Sequence, residues 1–382
     1  MQLDGNTFFD GLLPAELSAW VGVNMPPPPA AVPLTALRRP VTGADDPNEL
    51  IRYRFLCRGG TALLVGPTGA GKSSLAMQMA LCFASGRPCL GLEPARPLSV
   101  VIIQAENDEG DLAEMRDGVL AGLQWSAEDA LAAQGRVHVA TVDDKTGPAF
   151  AAVLGALCAE FTPDMVFMDP AFAYLGGDAL AQKEVSPFLR NQILPVVHQH
   201  NIGLFIVHHA NKPPAGGQQK AHYMPGDFAY LGAGSAEWAN VCRAVLALRA
   251  TEDARVFELR AAKRGFRLRW HEGNVPEGDP TTMRYVAYNR EQGVICWHEA
   301  EADQVPREKQ DRAQAIVDAI GAGATTRPEL YAVCEMKSST IKDWIVRLKT
   351  RKIIVESDDG VFRLTGKLTP RIPVETRAND AR

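Results

Sequence analysis

Residues 61–74 read T-A-L-L-V-G-P-T-G-A-G-K-S-S. An apolar run from Thr61 to Val65 breaks into G-x-x-x-x-G-K-S, Gly66 to Ser73, and a helical pattern opens near Lys72. A strand that turns tightly on glycines and enters a helix makes an anion cradle. The glycines let backbone N–H groups point inward, and the helix brings its positive end to the same place. In such a cradle Gly66, Pro67, Thr68, Gly69, Ala70, Gly71, Lys72, Ser73 and Ser74 surround the phosphates of a nucleoside triphosphate. Lys72 reaches the β and γ phosphates, and the Ser73 hydroxyl ligates Mg²⁺. ATP and Mg²⁺ are therefore the expected cofactors. A guanine nucleotide is disfavoured, because Asn211 and Lys212 run into two prolines instead of completing N-K-x-D.

At 382 residues, the chain has room for one α/β domain of ordinary size and a smaller appendage. Its 40 Lys and Arg against 45 Asp and Glu leave a net charge of -5, which excludes a global basic signature of nucleic-acid binding. The distribution is uneven: from Pro306 onward there are 15 basic and 11 acidic residues, so the larger part carries the acidic excess. Nucleic-acid contact by that larger part would have to come from local loops. Seven scattered cysteines without a C-x-x-C fit a reduced, cytoplasmic setting and burial better than metal binding. The longest apolar stretch, Ala149 to Leu157, falls short of the roughly 18 residues a membrane span needs.

Residues 1–47, with Pro26 to Pro29, Pro33 and Pro40, read as an arm or linker. From 48 to 300, strand-like runs alternate with helical ones, the pattern of a mostly parallel sheet covered on both faces. The parallel candidates are Thr61–Val65, Leu98–Gln104, Arg136–Thr141, Met165–Met168, Gly203–Val207 and Arg243–Leu248. Leu75, Met79, Cys82 and Phe83 define one stripe of an amphipathic helix. After Val256, Phe257–Ala261, Arg267–Trp270, Met283–Tyr288 and Gly293–Trp297 read as antiparallel hairpins closing the sheet edge. Residues 301–310 read as a charged linker. In 311–368, three helical segments, Gln314–Ile320, Glu329–Cys334 and Ser339–Thr350, precede Ile353–Glu356 and Val361–Leu364, which flank an Asp-Asp-Gly turn. Three helices and a hairpin describe a winged helix-turn-helix, and 369–382 a tail. The fold class is thus α/β with a small C-terminal winged helix.

Hydrolysis needs a carboxylate near the metal and a group that orients water. The strand Met165–Met168 ends in Asp169, at the sheet edge where open α/β sheets bind ligands, so Asp169 is the second metal candidate after Ser73. The strand through Ile103 leads to Glu106, the candidate general base; Asp108 and Glu109 lie close enough to compete for that role. Gly203–Val207 runs into His208 and His209, with His209 placed to sense the γ-phosphate. In the third C-terminal helix, Ile341, Trp344, Ile345 and Leu348 form the buried face. Lys337, Lys342, Arg347, Lys349, Arg351 and Lys352 crowd its other side and the approach to the wing, a candidate duplex-DNA surface; such units also serve as protein-interaction modules.

The cradle, A-E-N-D after the second strand, the strand ending in Asp169, and V-H-H-A-N-K before a Gly/Gln-rich loop together resemble RecA-fold ATPases. The likeness is to plasmid hexameric replicative helicases of the RepA type and, more widely, to DnaB-like helicases, over roughly 48–270. The resemblance implies a catalytic glutamate at Glu106, a Mg²⁺-associated aspartate at Asp169 and a sensor at His209. It also implies that Lys263 and Arg264, in A-A-K-R-G, enter a neighbouring subunit's site, with Arg260 and Arg267 as alternatives to Arg264. A homo-oligomer, a hexameric ring, follows from that implication. Loops carrying Lys183, and Lys212, Gln218, Gln219, Lys220 and His222, would face single-stranded DNA in a central channel; their glycines and prolines equally fit plain mobility. The function expected is a DNA helicase of plasmid, phage or integrated-element replication. Two alternatives stand beside it: a DNA-dependent ATPase that loads or remodels a partner or acts in recombination, and an ATP-controlled DNA-binding regulator.

Overall fold

The structure is a computed structural model and describes residues 31–38 and 46–365, apart from 211–226, 233, 252, 254, 273–277, 292–293, 301–307, 335, 337, 351–352 and 358. The chain divides into two units, Met1–Pro47 and Asn48–Arg382. Of the first, Leu34–Ala36 form a single exposed 3-10 turn.

The second unit opens with a short hairpin, β1 (Glu49–Ile51) against β2 (Leu56–Cys57). A nine-stranded sheet follows. Its parallel part contains β3 (Thr61–Gly66), β4 (Val100–Gln104), β5 (Val137–Thr141), β6 (Met165–Asp169), β7 (Gly203–His209) and β8 (Ala244–Ala250), and its antiparallel part β9 (Val256–Lys263), β12 (Met283–Glu291) and β13 (Val294–Glu299). A separate pair, β10 (Trp270–His271) with β11 (Pro280–Thr281), lies between β9 and β12 in sequence. The strand order is β13-β12-β9-β8-β3-β7-β6-β4-β5. Every residue of β3, β4 and β6 is buried. Their unbroken apolar runs suit this, because side chains of both parities meet a packed layer, one core on each face of the sheet. Phe167 and Phe205 stack across adjacent strands at 5.1 Å, each contributing roughly 1.5–3 kcal/mol by burial.

The helix Lys72–Ser85 departs from the one-stripe expectation, since it is buried nearly all round. The antiparallel extension supplies the reason. It brings β13 against the outer side of this helix, where the helix Glu109–Leu123 also packs. Gln78, a polar residue on that side, is buried because its amide donates to the Trp297 carbonyl at 2.7 Å and accepts the Trp297 N–H at 2.8 Å.

Two further expectations need correction. Arg267–Trp270 is not a strand: Gly265–Leu268 is a 3-10 turn, bounded by Arg264 and Arg269 in left-handed conformation, which cannot continue an extended run. The expected linker 301–310 also ends early, because a helix already runs over Glu308–Gly321. It is followed by the helices Arg327–Val333 and Ser338–Thr350 and by β14 (Ile354–Glu356) paired with β15 (Phe362–Leu364). Ile316, Leu330, Ile341, Ile345, Leu348 and Phe362 form their common core. Trp344 is only partly buried beside it.

Candidate active site

The cradle sits where β3 ends, flanked by β7 on one side and β8 on the other. Gly69 and Gly71 adopt φ of 74° and 78°, the left-handed region that lets the turn fold back on itself. Gly71 is the N-cap of the helix, with no side-chain cap and no acidic residue in the first turn. Its first N–H groups are thus left for an external anion. A side chain at Gly71 would also collide with Ile295, 2.7 Å from where its Cβ would stand. The Trp297 indole donates to the Gly71 carbonyl at 3.2 Å, so β13 braces the turn from outside.

Lys72 is buried. Its ammonium donates to the Pro67 carbonyl at 2.8 Å and to His209 Nδ1 at 3.1 Å. That second bond requires His209 to be neutral with its proton on Nε2, and both burial and the neighbouring Lys72 charge lower the His209 pKa. Burial pulls Lys72 itself from 10.5 down to about 8, against the charges of Asp169 and Glu106, which hold it up.

Asp169 ends β6 and is 3% exposed. Burial raises its carboxyl pKa, while hydrogen bonds from Ser73 and Gln104 and the charge of Lys72 oppose the rise. The Ser73 hydroxyl, one metal candidate, thus stands near enough to steady the charge of Asp169, the other. Two oxygen groups next to an open anion nest suit Mg²⁺, which keeps several waters and takes phosphate oxygens as further ligands. Among the described residues no group of three or more His, Cys, Asp or Glu could hold a metal by itself.

Glu106 is exposed and follows β4. Gln104 sets its approach: the buried amide donates to Asp169 Oδ2 at 3.2 Å, while its oxygen accepts the N–H of Ala105 at 3.0 Å and of Glu106 at 3.2 Å. Gln104 was not marked by the sequence, because only the pairing of Gln104 with Asp169 across β4 and β6 reveals its position. Tyr174 is a second such residue. It is buried against Phe150, ring centroids 3.9 Å apart, its hydroxyl has no partner among the described residues, and burial and the charges of Asp169 and Glu106 raise its pKa.

The other candidates lie elsewhere. Lys263 pairs with Val245, at the beginning of β8, so it stands at the sheet end away from the cradle. Its ammonium donates to the carbonyls of Ala239 and Cys242. Arg264 donates to the carbonyls of Arg54 and Phe55 at the same end, and burial lowers its pKa. Neither reaches the chain's own cradle. Arg260 lies over the Phe228 ring at 4.2 Å and pairs with Glu258; Arg267 donates to the Tyr53 carbonyl. Lys183 is exposed on the helix Gln182–Pro187. Lys212, Gln218, Gln219, Lys220 and His222 lie outside the described residues, as do Lys337, Arg351 and Lys352. Lys342 and Arg347 are exposed on Ser338–Thr350, Arg347 against the Trp344 ring, while Lys349 is tied to Glu356.

A family model described as an AAA domain matches residues 27–215, a span that holds the cradle, Glu106, Asp169 and His209. The matched span carries a P-loop between β3 and the helix Lys72–Ser85, in a mostly parallel sheet. No curated protein matches the chain. Among solved structures it is similar to the crystal structure of the RadB recombinase, at 17% identity and a TM-score of 0.39, over 64% of this chain and 92% of that one. Among the described residues no helix is long and apolar enough to cross a membrane.

Proposed function

We propose that the chain is an ATP-hydrolysing motor acting on DNA, a ring-forming replicative helicase. The observation that carries the hydrolysis is the meeting of Lys72, Ser73, Asp169 and the Gln104–Glu106 turn at one edge of the sheet. The helix N-terminus and Lys72 bind the phosphates, and Glu106 takes the proton of the attacking water. His209, released from Lys72 when phosphate takes that ammonium, reports the state of the site to the loop after β7. A Mg²⁺ held by Ser73 and Asp169 would neutralise charge on the β and γ phosphates. Lys263 or Arg264, neither of which reaches the chain's own cradle, completes the site of a neighbouring subunit.

DNA as the substrate track rests on the resemblance set out above and on the exposed cations Lys183, Lys342 and Arg347; Lys212 and Lys220 join them in this reading. The three helices and hairpin of 308–365 serve as the winged helix. The test is ATP turnover with and without single-stranded DNA, alongside unwinding of a forked duplex. Stimulated turnover with unwinding supports the helicase. Stimulation without unwinding moves the function to a loader, remodeller or recombination ATPase, and negligible turnover with tight duplex binding moves it to a regulator.

A further inference from the structure

Around Arg264, offered above to a neighbour's site, the sheet end opposite the cradle carries a wider surface for which the chemistry of ATP has no use. The β1–β2 turn and the 3-10 turn Gly265–Leu268 meet there, with four non-glycine residues in left-handed conformation: Tyr53, Arg54, Arg264 and Arg269. Backbone held in this region by several non-glycine residues at once is a mark of functional surfaces. Phe266 is 74% exposed and Tyr53 39%. The Arg269 guanidinium lies 4.0 Å over the Tyr53 ring, and Arg267 donates to the Tyr53 carbonyl. Beside them opens a cavity of about 220 Å³, lined in part by Arg52, Glu93, Trp270 and Arg284. Exposed aromatics interleaved with arginines are the composition of protein-interface anchors.

The charges favour a protein over a nucleic acid. Arg52 is paired with Glu49 and Glu93, and Arg284 with Glu299, so those arginines are already neutralised and few free cations remain to track a phosphate backbone. Arg267 and Arg269, both exposed, have no carboxylate partner among the described residues. The complementary surface lies at the other end of the same sheet. After β4, Glu106, Asp108, Glu109, Asp111, Glu114 and Asp117 are all exposed, with only Arg116 among them as a counter-charge. The two surfaces end opposite edges of one rigid sheet, so they cannot meet within a chain.

We propose that the arginine–aromatic face around Tyr53, Phe266, Arg267 and Arg269 docks onto the acidic segment 106–117 of a second copy of this chain. Two different surfaces in contact make a heterologous interface, which repeats head to tail into a ring or a filament. The inference deepens the ring reading above and rests on it.

The test is native mass and sedimentation of the full chain with Mg²⁺ and a non-hydrolysable ATP analogue. Arg267→Glu with Arg269→Glu, and separately Asp111→Arg with Glu114→Arg, should each weaken assembly by roughly 100-fold through like-charge contact. Phe266→Ala should weaken it without any change of charge. Mixing the two charge-reversed proteins in equal amounts should restore assembly, because every interface in an alternating arrangement is again complementary. A wild type that stays monomeric, reversed variants that assemble like it, or a mixture that fails to recover would each overturn the proposal. So would loss of single-stranded DNA binding by the arginine variant with assembly unchanged. ATP turnover by a monomeric wild type would sink this interface and spare the hydrolysis; assembly without turnover would do the reverse.

Discussion

Lys72 carries its charge where burial works against it, and the site uses the conflict. Without phosphate the ammonium rests on the Pro67 carbonyl and His209, with its pKa pulled to about 8. As pH rises through that value the nucleotide-free chain loses the proton that binds phosphate, so kcat/KM for ATP should fall above about pH 8. In the bound complex the phosphates hold the proton on, so kcat should keep its plateau to higher pH. Paired pH profiles check this, and a kcat/KM that stays flat into strong alkali contradicts it. Glu106→Gln should leave ATP binding intact while turnover drops by roughly 100-fold or more. Normal turnover would shift the base to Asp108 or Glu109.

At the level of elements, β13 is the part whose role is least obvious from its sequence. It lies across the outer side of the helix Lys72–Ser85, with Gln78 bridging both polar groups of Trp297 and the Trp297 indole holding Gly71. Gln78→Leu leaves two buried backbone groups unpaired, so stability should fall by roughly 2–4 kcal/mol, read from urea unfolding. An unchanged midpoint would show that β13 is not a brace. The same helix shows where sequence reading stops. The strands leading to Asp169 and, two residues past its neighbour's end, to Glu106 were legible, because unbroken apolar runs mark strands buried on both faces. The all-round burial of Lys72–Ser85 was not, since it depends on β13, more than 200 residues away. Gln104 escaped for a related reason, since a strand-end amide carries no signature until strand register sets it beside Asp169, and Tyr174 because the 3-10 turn Ala171–Tyr174 brings its phenol near that carboxylate. The turn at Gly265–Leu268 escaped because Arg264 and Arg269 are ordinary residues in a conformation that sequence reserves for glycine.

For the whole molecule, the decisive fact is that the two basic candidates and the cradle occupy opposite ends of one sheet. In the ring proposed above, a subunit lacking Lys72 would still lend Lys263 and Arg264 to a neighbour, and a subunit lacking Arg264 would keep an intact cradle. Lys72→Ala and Arg264→Ala chains, each inactive alone, should therefore regain some hydrolysis when mixed; no recovery at any ratio argues against Arg264 and turns attention to Lys263, Arg260 and Arg267. All of this depends on the phosphates of ATP seating on the turn between Gly66 and Ser74. The most direct measurement is steady-state phosphate release from Mg·ATP by the wild type and by Lys72→Ala. The account predicts turnover in the first and none above background in the second; equal rates in the two would contradict it.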